Sequence, residues 1–495
     1  MIRSFALNTR WLGAGTLSLA LAAVGCAVGP NHKAPDIKSP ESHRGDQQST
    51  ATSLADLPWW EVYRDPALFA LIKEATEKSL DLRIALSRVE IARQAHRAQI
   101  WALAPTIGVQ GGVGDSLGSL DVPSLYPPVQ TNGTWGAGVG ASWEPDVWGR
   151  LRRLTQVAKH NLEAAEEDRR GVYIALVGDV AEFYFSLVAA DLQKAYAEEA
   201  VATRRQTLNL FEARSLGGVG NDLEVSRARA AVSQAESTLA AADLAIARGE
   251  NAISLFLARI PGKIERQSSI DALKAAPSVP AGLPSTLLQR RPDIRSAEKQ
   301  LLAANAQIGV KLAEYFPKFK LTAFMGVASP DLTEASFVRG GAGLFSWKLP
   351  FLGGESVRAE HKAAIAYWEL TTAAYERTVL SAFREVADSL ANIHALTVRR
   401  VALDAQLTSL EDAEDLAIQR YQGGVANYLD VLTTQEQLLI TQLSIADVRG
   451  QEQAAVARLY RNLGGGWPLP DEDEEDEKKD QQADGAKPAE KKSGG

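Results

Sequence analysis

Arg214–Val225 reads RSLGGVGNDLEV, Arg420–Val431 reads RYQGGVANYLDV, and the second stretch follows the first by 206 residues. Each sets a Gly-Gly pair at the end of a long tract free of helix breakers. Ser186–Leu216 and Glu355–Gln422 hold no glycine, and no proline occurs between Pro145 and Pro261 or between Pro350 and Pro468. Such tracts read as two long helical hairpins, reversed where glycine relieves the backbone.

Working outward, Asp81–Pro105 (DLRIALSRVEIARQAHRAQIWALAP) matches Asp293–Pro317 (DIRSAEKQLLAANAQIGVKLAEYFP) in length, and GDVAE at 178–182 matches REVAD at 384–388. The chain is a duplicated unit. The first repeat is assigned to 59–261, with a helix, a β-hairpin at 106–143 and a helical hairpin turning at 217–221. The second is assigned to 262–470, with its β-hairpin at 319–349 and its turn at 423–427. Residues 26–58 form an N-terminal extension. Apolar residues Leu176, Val180, Phe183, Leu187 and Ala190, and Val379, Phe383, Val386, Leu390 and Ile393, keep heptad spacing. A helix from Leu151 to Arg214 would be ~96 Å long. An ordinary coiled coil uses the same heptads, but flanking alanines favour helices packed on two sides, as in a tube.

Four short segments break the helical pattern: Thr106–Val113, Trp135–Trp143, Phe319–Ala328 and Gly340–Leu349. Trp135, Ala137, Val139, Ala141 and Trp143 alternate with Gly136, Gly138, Gly140 and Ser142, the period of a strand with two different faces. Trp135 and Trp143 fit an aromatic girdle; burial in a core is the rival reading. Four strands make two hairpins and cannot close a membrane barrel, for which about eight is the minimum, and an open edge cannot face lipid. Strands must be pooled between chains, and three copies supply twelve. The expected fold is mainly α with a small β part, a trimeric α/β-barrel tube with four strands per protomer.

Upstream, MIRSFALNTR carries Arg3 and Arg10, and an apolar run then leads to LAAVGCAVGP at 21–30. That is a secretory signal over 1–25, too short to span a bilayer. Cys26 is the sole cysteine, so no intrachain disulfide forms. After it no uninterrupted apolar run approaches ~18 residues. The formal charge is −8, and Asp471–Gly495, with ten acidic and five basic residues, reads as a disordered acidic tail. No Lys/Arg-rich stripe attracts nucleic acid. The GDSL at Gly114–Leu117 lacks the Asp-x-x-His that would supply its base, which excludes that hydrolase class. No metal or cofactor motif appears, and Met1 and Met325 are the only methionines.

Ala23-Val24-Gly25-Cys26 resembles the bacterial lipobox, and Ala27 stands where an Asp would favour inner-membrane retention. WWEVYRDPALFALI (59–72), SWEPDVWGR (142–150), GLPSTLLQRRPDIRSAE (282–298), QIGVKLAEYFPKFKLTA (307–323), LPFLGGES (349–356), RYQGGVANYLDVL (420–432) and LYRNLGGGW (459–467) resemble the TolC-like outer-membrane efflux proteins, in the OprM/NodT lipoprotein branch. The resemblance implies a homotrimer in outer-membrane lipid, anchored by acylated Cys26, with a periplasmic helical barrel. It implies an adaptor protein and an inner-membrane transporter, of RND type, as partners in a tripartite pump that passes small molecules such as drugs outward. Protein or metal-ion export, and a non-conducting envelope coiled coil, are the alternatives.

By the same resemblance, Gly217, Gly218, Val219, Asn221, Gly423, Gly424, Val425 and Asn427 form the tip that meets the adaptor; a plain helical turn is the alternative. Leu429, Asp430 and Thr433 project into the tunnel as a periplasmic gate, with Arg420 and Tyr421 as bridging groups and Glu224 the counterpart of Asp430. The alternative for Asp430 is a solvated helix face. Relatives often carry an acid where Thr433 stands, so a double acidic ring is not expected here.

Overall fold

A computed structural model describes residues 27–31, 35, 40, 42, 44, 65–113, 119–120, 129–130, 135–218, 220–266, 284–329, 336–346 and 354–465. Cys26 and the acidic tail lie outside the described residues.

The described helices are α1 (Pro66–Lys78), α2 (Leu80–Trp101), α3 (Arg150–Leu216), α4 (Asp222–Phe256), α5 (Pro284–Arg290), α6 (Pro292–Ala313), α7 (Glu355–Gln422) and α8 (Tyr428–Asn462). The strands are β1 (Thr106–Val113), β2 (Ser119–Leu120), β3 (Val129–Gln130), β4 (Trp135–Trp143), β5 (Lys318–Ser329) and β6 (Ser336–Ser346). At 67 and 68 residues, α3 and α7 are the tracts that lack proline. Local chemistry starts the shorter ones: Asp65 caps α1 by accepting from the amides of Ala67 and Leu68, with Pro66 in the first turn, where it costs no hydrogen bond.

The chain divides into two compact units. One comprises residues 1–37, 87–167 and 296–377 and contains the sheets. Its four-stranded antiparallel sheet has the order β1-β4-β5-β6. Both expected hairpins are present, and β4 also pairs with β5, joining the repeats. Two differences from the expected strands stand out. β6 begins at Ser336 rather than near Gly340, and β2 and β3 form a small ladder in the long connection after β1.

The other unit comprises residues 38–86, 168–295 and 378–495. Its core runs along α3, where Leu176, Val180, Leu187 and Ala190 of the heptad row are buried and Phe183 is exposed. Val177, Ala181, Tyr184, Phe185 and Val188 are buried too, so α3 packs on more than one side. Glycine sets the approach: a Cβ at Gly450 of α8 would lie 2.6 Å from Ala189 Cβ, and one at Gly249 of α4 would lie 3.1 Å from Leu187. Both neighbours belong to α3. That helix contains an 18-residue window apolar enough to cross a membrane, which scanning for uninterrupted apolar runs passes over. The window is 61% buried in the protein and behaves as a core helix.

Candidate functional site

The two quoted stretches fold alike. Gly218 and Gly424 take φ of +75° and +70°, the left-handed conformation that ends a helix and that side chains disfavour. Gly217 N–H donates to Ala213 O and Gly423 N–H to Gln419 O, closing the last turns of α3 and α7. Val425 N–H then reaches back to Arg420 O at 3.0 Å, the longer bond of a Schellman cap. Asn221 and Asn427 cap α4 and α8, their side-chain oxygens accepting from the amides of Leu223 at 2.9 Å and Leu429 at 3.1 Å. Among the expected tip residues, the asparagines are therefore committed to capping, whereas Val425 stands 70% exposed. Val219 lies outside the described residues.

Beneath the turns, the four long helices converge on Phe211, Ala228, Tyr428 and Val431, with Leu208, Val225, Ala417, Ile418, Tyr421 and Leu432 packed against them. The Phe211 and Tyr428 rings meet edge to face at 4.5 Å between centroids, and Tyr421 packs against both. Arg214 donates to the Tyr421 hydroxyl, a contact between repeats that the sequence reading missed because it lies in no single motif. Below them Arg204 is 5% exposed and donates to Ala231 O at 3.0 Å. Burial lowers the pKa of its guanidinium and raises that of the Tyr428 hydroxyl.

Of the expected gate residues, Leu429, Asp430 and Thr433 share an exposed face of α8. The Thr433 hydroxyl donates back to Leu429 O and Asp430 O. Arg420 is exposed, Glu224 is half-buried, and neither these nor Asp430 forms an ion pair among the described residues. Among the described residues, Tyr421 of the expected set is joined to the other repeat by a hydrogen bond, from Arg214.

The sheet presents two unlike faces. Through the register Val109↔Val139↔Met325 and Ala137↔Val327↔Phe337, residues of one parity share a face. Ile107, Val109, Val139, Trp143, Phe319, Leu321, Met325, Val327 and Phe337 of that parity are all exposed. The other parity places Thr106, Ser142 and Thr322 opposite one another, and Gly138 opposite Gly326. Trp143 also donates its ring N–H to Leu103 O at 2.9 Å. Trp135 occupies the opposite end of β4 and pairs with Val113 and Ser329; its side chain is outside the described set.

Comparison with known proteins agrees with this architecture. The family model described as outer membrane efflux protein matches residues 71–259 and 283–465. The toluene efflux pump outer membrane protein TtgI of Pseudomonas putida is 34% identical over 460 residues, spanning 90% of this chain and 96% of that protein. The cation efflux system protein CusC of Escherichia coli is 31% identical, spanning 91% and 97%. A crystal structure of the open state of the Neisseria gonorrhoeae MtrE outer membrane channel superposes with a TM-score of 0.78 at 28% identity, covering 89% of this chain and 98% of that one. A CusC structure does so with a TM-score of 0.78 at 30% identity, covering 89% and 100%. With its long helices, duplicated turns and two-faced sheet of TolC-like fold, this chain belongs to the outer membrane efflux protein family and is an outer-membrane efflux channel.

Proposed function

We propose that the chain forms, as a homotrimer, the outer-membrane duct of a tripartite pump driven by an RND-type transporter, passing small molecules such as drugs from periplasm to exterior. The observation that carries this is the sheet, one face of which exposes an apolar row that includes Ile107, Val109, Met325 and Phe337, and whose outer strands β1 and β6 each pair on one side alone among the described residues. An exposed backbone edge is costly in hydrocarbon, so the edges demand neighbouring copies, and the unlike faces fit lipid outside and water within. A purely structural coiled coil has no use for such a sheet. Within this reading Cys26 is acylated, and the turns at 217–221 and 423–427 meet a periplasmic adaptor. Leu429, Asp430, Thr433, Arg420 and Tyr421 narrow the tunnel, with Glu224 beside them. Trp135 and Trp143 mark the two interfaces. Two relatives are named for toluene and cation efflux, so the fold itself does not fix the cargo.

The test is twofold. Purified protein in a planar bilayer should give discrete conductance steps, and photo-crosslinkers at Val219 and Val425 in cells should capture a periplasmic adaptor. Folded trimer without conductance would remove the duct; trimer that conducts but captures no adaptor would remove the pump.

A further inference from the structure

Four residues that follow Cys26 are held in a site built from both repeats. Val28 N–H donates to Trp148 O at 3.2 Å. Arg153 donates through Nε to Val28 O at 3.2 Å and through Nη2 to Gly29 O at 3.4 Å, while its Nη1 is fixed by Gln156 at 3.0 Å. Asn305 donates to Pro30 O at 3.1 Å. Arg153 is 9% exposed and Asn305 is 7% exposed. A buried guanidinium and a buried amide are thus aimed at three consecutive carbonyls, which no loose surface strand requires.

The fit is also steric. Gly29 has φ +118°, and a Cβ there would lie 2.6 Å from Gly309 Cα in α6. A Cβ at Gly309 would press on Arg153 Nε and Val28 O, each at 2.9 Å. At the near end, Gly149 has φ +78°, and a Cβ there would come within 2.6 Å of Ala27 Cα. Three glycines therefore clear space for the segment, and Pro30 stiffens it, lowering the entropy lost on seating. Trp148, whose carbonyl receives Val28, stacks on Phe316 at 4.6 Å and donates its ring N–H to Pro317 O at 2.8 Å, one residue before β5. The segment thereby ends at the base of the sheet.

We propose that Trp148, Gly149, Arg153, Asn305 and Gly309 form a receptor site for the main chain of Ala27–Pro30, and that seating this segment is a step in assembling the strands. The site reads backbone carbonyls and smallness rather than side-chain identity. Its consequence for Cys26 rests on the acylation reading: the acylated residue immediately precedes the seated segment in the chain. Arg153 comes from the first repeat and Asn305 and Gly309 from the second, so the segment closes the seam between them.

The experiment uses the full-length chain expressed to the outer membrane, with Gly29→Val and Arg153→Met compared against Asn31→Ala at an exposed neighbour. Palmitate incorporation at Cys26, hydrogen exchange at the Val28 amide and the fraction of assembled trimer are measured together. In the parent protein the Val28 amide should be protected at least about tenfold relative to an unstructured chain. Gly29→Val and Arg153→Met should lose that protection and lower the assembled fraction about tenfold, with palmitate labelling intact and Asn31→Ala unchanged. A Val28 amide exchanging freely in assembled parent protein overturns the site, as does normal assembly of Gly29→Val. Missing palmitate on the parent protein would instead sink the acylation reading, and Val28 protection would still decide the site.

Discussion

The Arg214 guanidinium donates a hydrogen bond to the Tyr421 hydroxyl at 3.1 Å, joining the last turn of α3 to the last turn of α7. The donor lies just before one glycine turn and the acceptor just before its duplicate, so the bond ties the ends of two helical hairpins together. Tyr421→Phe keeps the ring against Phe211 and Tyr428 and removes only the hydroxyl. Its expected stability cost is about 1 kcal/mol, because the bond is exposed to solvent. Single-channel conductance should rise while the trimer persists; conductance equal to that of the parent would show that this bond does not restrain the periplasmic end.

Asp430 sits on an exposed face of α8 with no ion pair inside the protomer among the described residues. If three copies face a common tunnel, their carboxylates favour cations there. Asp430→Ala should raise conductance and weaken cation preference, read from reversal potentials in a salt gradient. Unchanged values would return Asp430 to an ordinary solvated position.

Glu163 on α3 accepts a hydrogen bond from the His160 ring at 3.0 Å and lies 3.3 Å from Lys299 Nζ on α6. The His160 bond, helped by Lys299 and against burial, lowers its pKa to about 2. A folded-state pKa below the ordinary value of 4.5 stabilises the protein above that value. The contribution should be lost as pH falls from about 4.5 through about 2. Glu163→Gln should flatten this part of the acid-stability curve, removing on the order of 1 kcal/mol at neutral pH once solvent screening is discounted. Thermal denaturation across that pH range tests it.

Arg266, with only 8% of its side chain exposed, donates to Asp191 at 2.7 Å and to Glu250 at 2.7 Å, pinning the connector after α4 onto α3. Arg266→Met removes the guanidinium from two carboxylates that are themselves mostly covered. A loss of about 3 kcal/mol is expected, larger than for any exposed pair such as Arg205–Glu236. Denaturant unfolding of the two variants side by side would sink this ranking if Arg205→Met cost as much.

At Gly218 and Gly424 a Cβ would meet nothing within 4 Å, so substitution there is a backbone question alone. Ala at either should cost about 1 kcal/mol, and Asn less, because Asn tolerates positive φ. Equal costs for Ala and Asn, measured by thermal unfolding, would mean that the turn relaxes out of the left-handed region.

The helices and their turns could be read from the chain because their causes are local. Absence of proline, paired glycines, and Asn221 and Asn427 at a fixed offset each act within a few residues. The alternation from Trp135 to Trp143 was legible for the same reason: pleating alone assigns residues to faces. The β4–β5 pairing across Trp143 and Leu321 was not, since joining two hairpins so far apart in sequence depends on helices that bring them side by side. Nor was the exposure of Phe183 in a buried heptad row, because heptad spacing describes one seam and α3 packs against several neighbours. Arg214–Tyr421 and the site around Arg153 lie furthest from the reach of sequence. Each depends on groups contributed by both repeats, and only the packed tertiary structure decides which donors meet which carbonyl or hydroxyl.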